Sequence, residues 1–172
     1  SVLREGEITA KAVCDAARKE IVRRYYKVKC DKVMGLVSES AVTKTESIMK
    51  QAGVTIEART VVDYAIQKSK QTDTHAVAIE LLDGTIITGK TSQLLGSVSA
   101  ALLNAMKTLA GIDDAVPLIA QASIEPIVKL KREIFNSATS HLNSNEMLIA
   151  LSSSAVLNPQ ASKALEVISQ LR

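Results

Sequence analysis

The stretch His75-Ala-Val-Ala-Ile-Glu-Leu81, Leu82-Asp83-Gly84, Thr85-Ile-Ile-Thr88 and Gly89-Lys90-Thr91-Ser92, continuing to Gly111, decides the fold class. In extended chain Val77, Ile79 and Leu81 share one face, and Ala76, Ala78 and Glu80 share the other. That period of two marks a half-buried strand. Asp83-Gly84 between two apolar runs predicts a hairpin with a type I′ turn, which needs positive φ at both central residues. Beyond Ser92 the pattern changes. Leu94, Leu95, Val98, Ala101, Leu102, Ala105, Met106 and Leu109 recur at helical spacing. Thr91 or Ser92 supplies a capping hydroxyl at the start, and Gly111 stands where a left-handed C′ residue belongs. The expectation is strand, turn, strand, then one long helix over 91–110.

Gly84-Thr-Ile-Ile-Thr-Gly89-Lys90-Thr91 satisfies the phosphate-loop expression G-x-x-x-x-G-K-[ST] letter for letter. It is not read as a true phosphate loop. The first glycine belongs to the hairpin turn and the four intervening residues form a strand, so no glycine-rich loop can wrap a phosphate. What survives is smaller: a helix N-terminus beside Gly89, Lys90, Thr91 and Ser92 has free backbone N–H groups that favour an anion. The competing reading is that Gly89 turns the chain, Thr91 or Ser92 caps, and Lys90 is solvated.

Composition bounds the rest. The 172 residues contain 47% hydrophobic but only 2% aromatic residues, so the core is aliphatic. That length suffices for one sizeable core, or one core with a helical appendage. No apolar run reaches the length of a membrane span, and no signal peptide is expected. Cys14 and Cys30 lack metal-ligand spacing, and with two histidines they do not make a zinc site. No metal, cofactor or catalytic constellation is expected. Free thiols point to the cytoplasm. A net charge of +3 is too mild to imply nucleic acid. The amino-terminal third reads as helices over 9–29, 38–52 and 57–70. The first carries a local basic excess from Arg18 to Lys32, which is read as a solvated face or as a contact with acidic residues of a neighbouring domain. Gln71–Thr74 reads as a polar hinge, with the sub-domain boundary just before 73.

After Gly111, Ala115-Val-Pro-Leu-Ile-Ala120 is short enough for a buried or edge strand, with Pro117 favouring an edge. Asp113-Asp114 reads as a turn. Glu125-Pro126 is expected to begin a helix, Asn143-Ser-Asn-Glu146 to form a capping box, and Asn158-Pro159 to end one helix and start the next. Serines 152–154 lie within a helix with no base in view. His141, just before a helix start, is a structural residue or a ligand contact.

Arg23-Arg24-Tyr25-Tyr26, Gly84 with Thr88-Gly-Lys-Thr-Ser92, Leu103–Ala110 with Ile112-Asp113, and His141–Leu151 together resemble the carboxy-terminal part of an uncharacterised bacterial family. It is known as domain-of-unknown-function family 1846 and as uncharacterised protein family 0371. The resemblance implies a longer protein, with an amino-terminal α/β domain of the same polypeptide as partner. Where the family usually shows arginine two residues before His141, this chain carries Thr139, so no basic pocket around His141 is implied. The layout is loosely similar to a three-layer deaminase sandwich. The zinc deaminase signature of His-x-Glu and Pro-Cys-x-x-Cys is missing, so that chemistry is not carried over.

The fold class expected is therefore α/β and helix-rich: a helical sub-domain over 1–72, then an α/β sandwich over 73–172 built on a β-hairpin or short sheet and incomplete at its carboxy-terminal end. A chain that opens at Ser1 and stops at Arg172 beside a helix is expected to be a piece of a longer polypeptide. Two functions remain open. One is an assembly or interaction module of a larger cytoplasmic protein, meeting its amino-terminal domain or forming a homo-oligomer. The other is a phosphate- or nucleotide-facing wall of an active site completed elsewhere.

Overall fold

The structure is a computed structural model that describes residues 2–171, with side-chain surroundings from residue 10 onward. It divides into two compact units, one ending at Asp63 and one beginning at Tyr64. The division falls inside a helix, ahead of the Gln71–Thr74 segment. No helix among the described residues is long and apolar enough to cross a membrane.

The first unit pairs a long helix α1 (Val2–Val33) with α2 (Glu39–Gln51), followed by a 3-10 turn at Ile56–Ala58. Its core is small. Val22, Met49 and Val54 are buried, with Ile21, Tyr25 and Ala58 packed against them. From Arg23 to Lys32 the basic excess of α1 is met within the unit. Arg23 and Arg24 grip Glu20 at 2.6 and 2.8 Å, Lys27 pairs with Asp31 at 2.6 Å, and Lys32 reaches Glu39 of α2 at 2.8 Å. Hydrogen bonds from the two guanidiniums hold the Glu20 carboxyl down at about 2. Lys29 lies 5.5 Å from the centre of the Tyr25 ring and 3.7 Å from Glu46.

The remainder of α3 (Thr60–Thr72) leads into the second unit, which is α/β and helix-rich as expected. Strands β1 (Ala76–Glu80) and β2 (Ile86–Lys90) form a two-stranded antiparallel sheet, with Val77 opposite Gly89 and Ile79 opposite Ile87. Four helices follow: α4 (Ser97–Ala110), α5 (Gln121–Glu133), α6 (Ser144–Ala155) and α7 (Pro159–Glu166). Helix α4 is the middle layer. On one side it packs on both strands, and on the other on α6 and α7. Met106, Leu118, Leu142, Met147 and Leu151 are the large side chains at the centre of the core behind it. Each such burial contributes about 1.5–3 kcal/mol.

Several local expectations are corrected. The hairpin turn is not type I′. Gly84 is left-handed at φ +85°, but Asp83 is not among the residues with positive φ. Gly84 N donates to Leu81 O and Leu81 N to Thr85 O, so Leu82-Asp83-Gly84 form a three-residue connection. The Asp83 carboxylate accepts from Thr85 N at 2.9 Å, and that bond holds its pKa below the ordinary range. Helix α4 begins at Ser97 with Gly96 as N-cap, not at Thr91 or Ser92. Residues 115–120 form no strand. Pro117 lacks an amide, and side chains satisfy the neighbouring backbone: Asn158 Nδ2 donates to Pro117 O and Leu118 O, and Ser154 Oγ accepts from Ala120 N. Helix α5 starts at Gln121, so Pro126 lies inside it rather than opening it.

The sheet and α4 meet at Gly89. A Cβ there would overlap the amide nitrogen of Ala101 and lie 2.5 Å from its Cα and 2.6 Å from Ser97 O. Backbone thus rests on backbone, which only glycine permits. Gly89→Ala is expected to cost about 3 kcal/mol or more, because the neighbouring atoms are main chain and cannot rotate away. Gly84→Ala, with open space around it, should cost only about 1 kcal/mol for the left-handed conformation. Urea unfolding of the two variants checks the contrast.

Candidate functional site

Gly89 and Lys90 end strand β2, and Thr91 and Ser92 follow it. They stand several residues ahead of the helix. Thr91 N donates to His75 O and Ser92 N to Leu95 O, both at 2.8 Å. The Ser92 hydroxyl accepts from Leu95 N at 3.0 Å and from Leu94 N at 3.3 Å, building a turn rather than a helix cap. The anion site expected from free helix-terminal amides at Gly89–Ser92 therefore lacks its donors: three of the four amides are spent, those of Thr91 and Ser92 as above and that of Gly89 in its ladder pair with Val77.

Gly89, Lys90 and Ser92 do share a cleft of about 420 Å³, together with Lys68, Asn104 and Asp114. The ladder geometry says which main-chain groups face it. Thr91 N to His75 O and Leu81 N to Thr85 O mark hydrogen-bonded pairs at the two ends of the hairpin. Alternation then makes Val77–Gly89 and Ile79–Ile87 bonded pairs, and turns the amides and carbonyls of Ile86, Thr88 and Lys90 outward from β2. The outward Thr88 carbonyl accepts from Asn104 Nδ2 of α4 at 2.9 Å, which agrees with this alternation.

His141 occupies a different cleft, of about 380 Å³, with Lys131, Phe135, Ser137, Thr139, Asn143 and Glu146. Its half-buried ring lies close over Gly96: a Cβ at Gly96 would stand 3.3 Å from His141 Cδ2. The organising group is Lys131, which is 6% exposed. Its Nζ donates to His141 O at 2.8 Å and to Glu146 Oε2 at 2.7 Å. The same Glu146 oxygen accepts from Asn143 N at 2.8 Å, and Asn143 Oδ1 accepts from Glu146 N at 3.0 Å. The expected capping box is present, and Lys131 is tied into it. Burial pushes the Glu146 carboxyl up, but the bonds from Lys131 and the Asn143 amide, with the charges of Lys131 and His141, outweigh it and hold the group below its ordinary range.

The next residue, Leu142, is fully buried and is a backbone hub. Its amide donates to Leu94 O at 2.8 Å, and its carbonyl accepts from Gly96 N at 3.0 Å and from Ser99 Oγ at 2.9 Å. A parallel bridge joins Leu95 and Leu142. Sequence reasoning missed Lys131 and a second buried cation, Lys107, whose Nζ donates to Asp114 O at 2.6 Å. A signal existed. Lys131 falls at i+7 of the Ile124, Ile127, Val128 stripe, and Lys107 sits beside Met106 in the Leu103–Ala110 stripe, so each places a charge on an apolar face. Asp113 Oδ1 caps Ala115 N in a turn. Among the described residues no group of three or more His, Cys, Asp or Glu side chains could hold a metal ion, and Cys14 and Cys30 are free thiols.

Residues 57–172 match the family model described as domain of unknown function DUF1846, C-terminal, and residues 3–53 match its N-terminal counterpart. The chain belongs to the DUF1846 family. It is 45% identical to the UPF0371 protein CE2832 of Corynebacterium efficiens over 93% of its length, covering 32% of that relative. A Streptococcus thermophilus relative, UPF0371 protein str1377, is 43% identical over 94% of the chain and 33% of its own length. UPF0371 protein DIP2346 of Corynebacterium diphtheriae is 43% identical over 96% and 33%. The chain thus spans about a third of the length of the DUF1846 relatives it matches.

The Lys131–Glu146 pair should show itself in stability. Glu146→Gln leaves a buried ammonium with a weaker partner and is expected to cost about 2–3 kcal/mol at neutral pH. The Glu146 pKa is lower in the fold than in the unfolded chain, so its contribution is complete above the unfolded value of about 4.3 and is lost as pH falls through the lower folded value. The wild-type advantage over Glu146→Gln should therefore shrink as pH falls below about 4. Chemical denaturation of both proteins across that range tests this.

Proposed function

We propose that this chain is the carboxy-terminal assembly module of a larger cytoplasmic bacterial protein, and that its partner is the remainder of the same polypeptide. One observation carries the reading: every residue of α1 from 10 to 18 is exposed. Ala10, Cys14 and Ala17 continue at helical spacing the stripe that lower down packs through Ile21 and Tyr25. A helical stretch with nothing against its apolar side is marginal in water, because helices draw most of their stability from packing. The match of residues 3–53 to the N-terminal domain of DUF1846, and the relatives' threefold greater length, supply what would cover it.

Ala17→Glu tests the reading. In the 172-residue chain it changes an exposed site and should alter stability by less than about 0.5 kcal/mol. In the full-length polypeptide it should bury a charge, lower the melting temperature by several degrees, and be matched by slow alkylation of Cys14 in the unmutated protein. Equal behaviour of Ala17→Glu in both lengths, with Cys14 freely alkylated, would overturn it.

A second reading is supported by the cleft at β2: a phosphate-facing wall formed by Lys68 and Lys90 with the outward amides of Thr88 and Lys90, in place of helix-terminal amides. Here Lys90→Ala should weaken phosphate binding by about 1–2 kcal/mol, the scale of a charge-assisted bond. Calorimetric titration of phosphate into both full-length proteins decides it; no binding, or equal binding, removes this reading.

A further inference from the structure

We infer that the edge of β1 at Ala76 and Ala78 is a docking site for a third strand, supplied by another part of the same polypeptide. The two edges of the hairpin are built differently. On β2 the outward Thr88 carbonyl is already taken by Asn104, Lys90 stands exposed at the strand end, and α4 walls the cleft alongside. A side chain plugging the ladder and a lysine at the rim are what natural edges use to refuse a partner. On β1 the outward groups belong to Ala76, Ala78 and Glu80, by the alternation that puts Val77 and Ile79 in bonded pairs. Among the described residues no hydrogen bond reaches the amides or carbonyls of Ala76 and Ala78. The strand has no lysine or proline, and its one charge, Glu80, lies at its end.

β1 packs on β2 and α4, and Ala76, Val77, Ala78 and Ile79 remain half-exposed, as Ile86, Ile87 and Thr88 of β2 do, so the sheet has room for a further layer. Two strands alone make a marginal sheet, and three or more with one face covered make a stable one. The added strand would be extended and alternating, with apolar residues on the side of Val77 and Ile79 that α4 covers.

The length of the edge selects the occupant. Five residues give about 17 Å of strand, and a strip one strand spacing wide buries on the order of 100 Å² per partner. A free-standing interface needs about 800 Å² per partner. An untethered protein or a second copy held only here would not stay. A segment of the same polypeptide is held at high effective concentration and needs no such area. The chain covers 32–33% of its relatives, so such polypeptide exists in quantity. The inference rests on the chain being a module of a longer protein, but its test reads β1 alone, so its failure leaves the α1 reading untouched.

The test is residue-resolved hydrogen exchange on the unmutated full-length polypeptide, where the β2 edge serves as internal control. The amides of Ala76 and Ala78 should exchange roughly 100-fold more slowly than the outward amides of Ile86 and Lys90, after correction for intrinsic rates. That difference should be unchanged on dilution. Equal exchange at the two edges, fast or slow, overturns the inference. Slow exchange at Ala76 and Ala78 that is lost on dilution also overturns it, in favour of a second copy pairing through β1.

Discussion

The close approach of α4 to β2 at Gly89 is the constraint from which the second unit follows. With backbone atoms of Ser97 and Ala101 seated on a strand that has no side chain at that point, α4 lies nearer the sheet than ordinary helix–sheet packing allows. Small residues recur on that side of the helix: Ser97, Ala101 and Ala105 follow one another at helical intervals, and both alanines are fully buried. The opposite side is free to carry Leu103, Met106 and Ala110 into the main core. The approach also explains why the helix starts where it does. Ser97 O must come over Gly89, so the chain leaving Lys90 has to double back first, and the Ser92 turn accomplishes this. A glycine that matches the phosphate-loop expression only letter for letter is there because two backbones touch.

What was legible in the sequence was local. The hairpin, the helical stripes, Gly111 as a left-handed C-cap, the Asn143–Glu146 capping box and Asn158 before Pro159 each depend on residues within a few positions of one another. What was not legible depends on distant partners. Residues 115–120 look like a strand because they are apolar and short. Their backbone is satisfied by Ser154 and Asn158, some 40 positions away, so no ladder is needed. The start of α4 is set by Gly89 and by Leu142, which no capping rule can see. The turn type failed for a smaller reason: Asp-Gly serves a three-residue connection as readily as a two-residue one, because Asp83 can hold Thr85 N with its own carboxylate while only Gly84 is left-handed. The basic helix shows the same limit. Glu39 and Glu46 oppose its lysines from α2, and nothing in the run from Arg18 to Lys32 announces them.

The buried lysines contribute position more than net stability. Removing an ammonium from water costs several kcal/mol, and a good partner set does little more than return it. Lys131 is useful because its donors have two targets that would otherwise be unrelated, the His141 carbonyl in a loop and the Glu146 carboxylate in the first turn of α6. Satisfying both fixes where the loop enters the helix. That fixes Leu142, whose backbone in turn receives the segment before α4. His141 is thereby held over Gly96 with its ring toward a small polar cleft. Its carbonyl is held by the buried cation, and its proximity to Gly96 follows from the Leu95–Leu142 bridge.

The two units differ in how far they can sustain themselves. The second has a core of large, fully enclosed side chains between α4 and the helices behind it. Among the described residues the first has three buried in its cluster, and a long helix exposed throughout residues 10–18. Ion pairs along α1 do not compensate, because exposed pairs contribute at most about 1 kcal/mol each, and those between Glu20 and Lys32 lie on the half that is already packed. A body of this size with few enclosed apolar residues is marginal by itself. The family match divides a little earlier than the two units do: residues 3–53 match the N-terminal domain of DUF1846, and residues 57–172 the C-terminal one. On the assembly reading proposed above, the helical unit is the end of another domain's core, and the layer that completes it lies against Ala10, Cys14 and Ala17, the face on which the packed stripe of α1 continues.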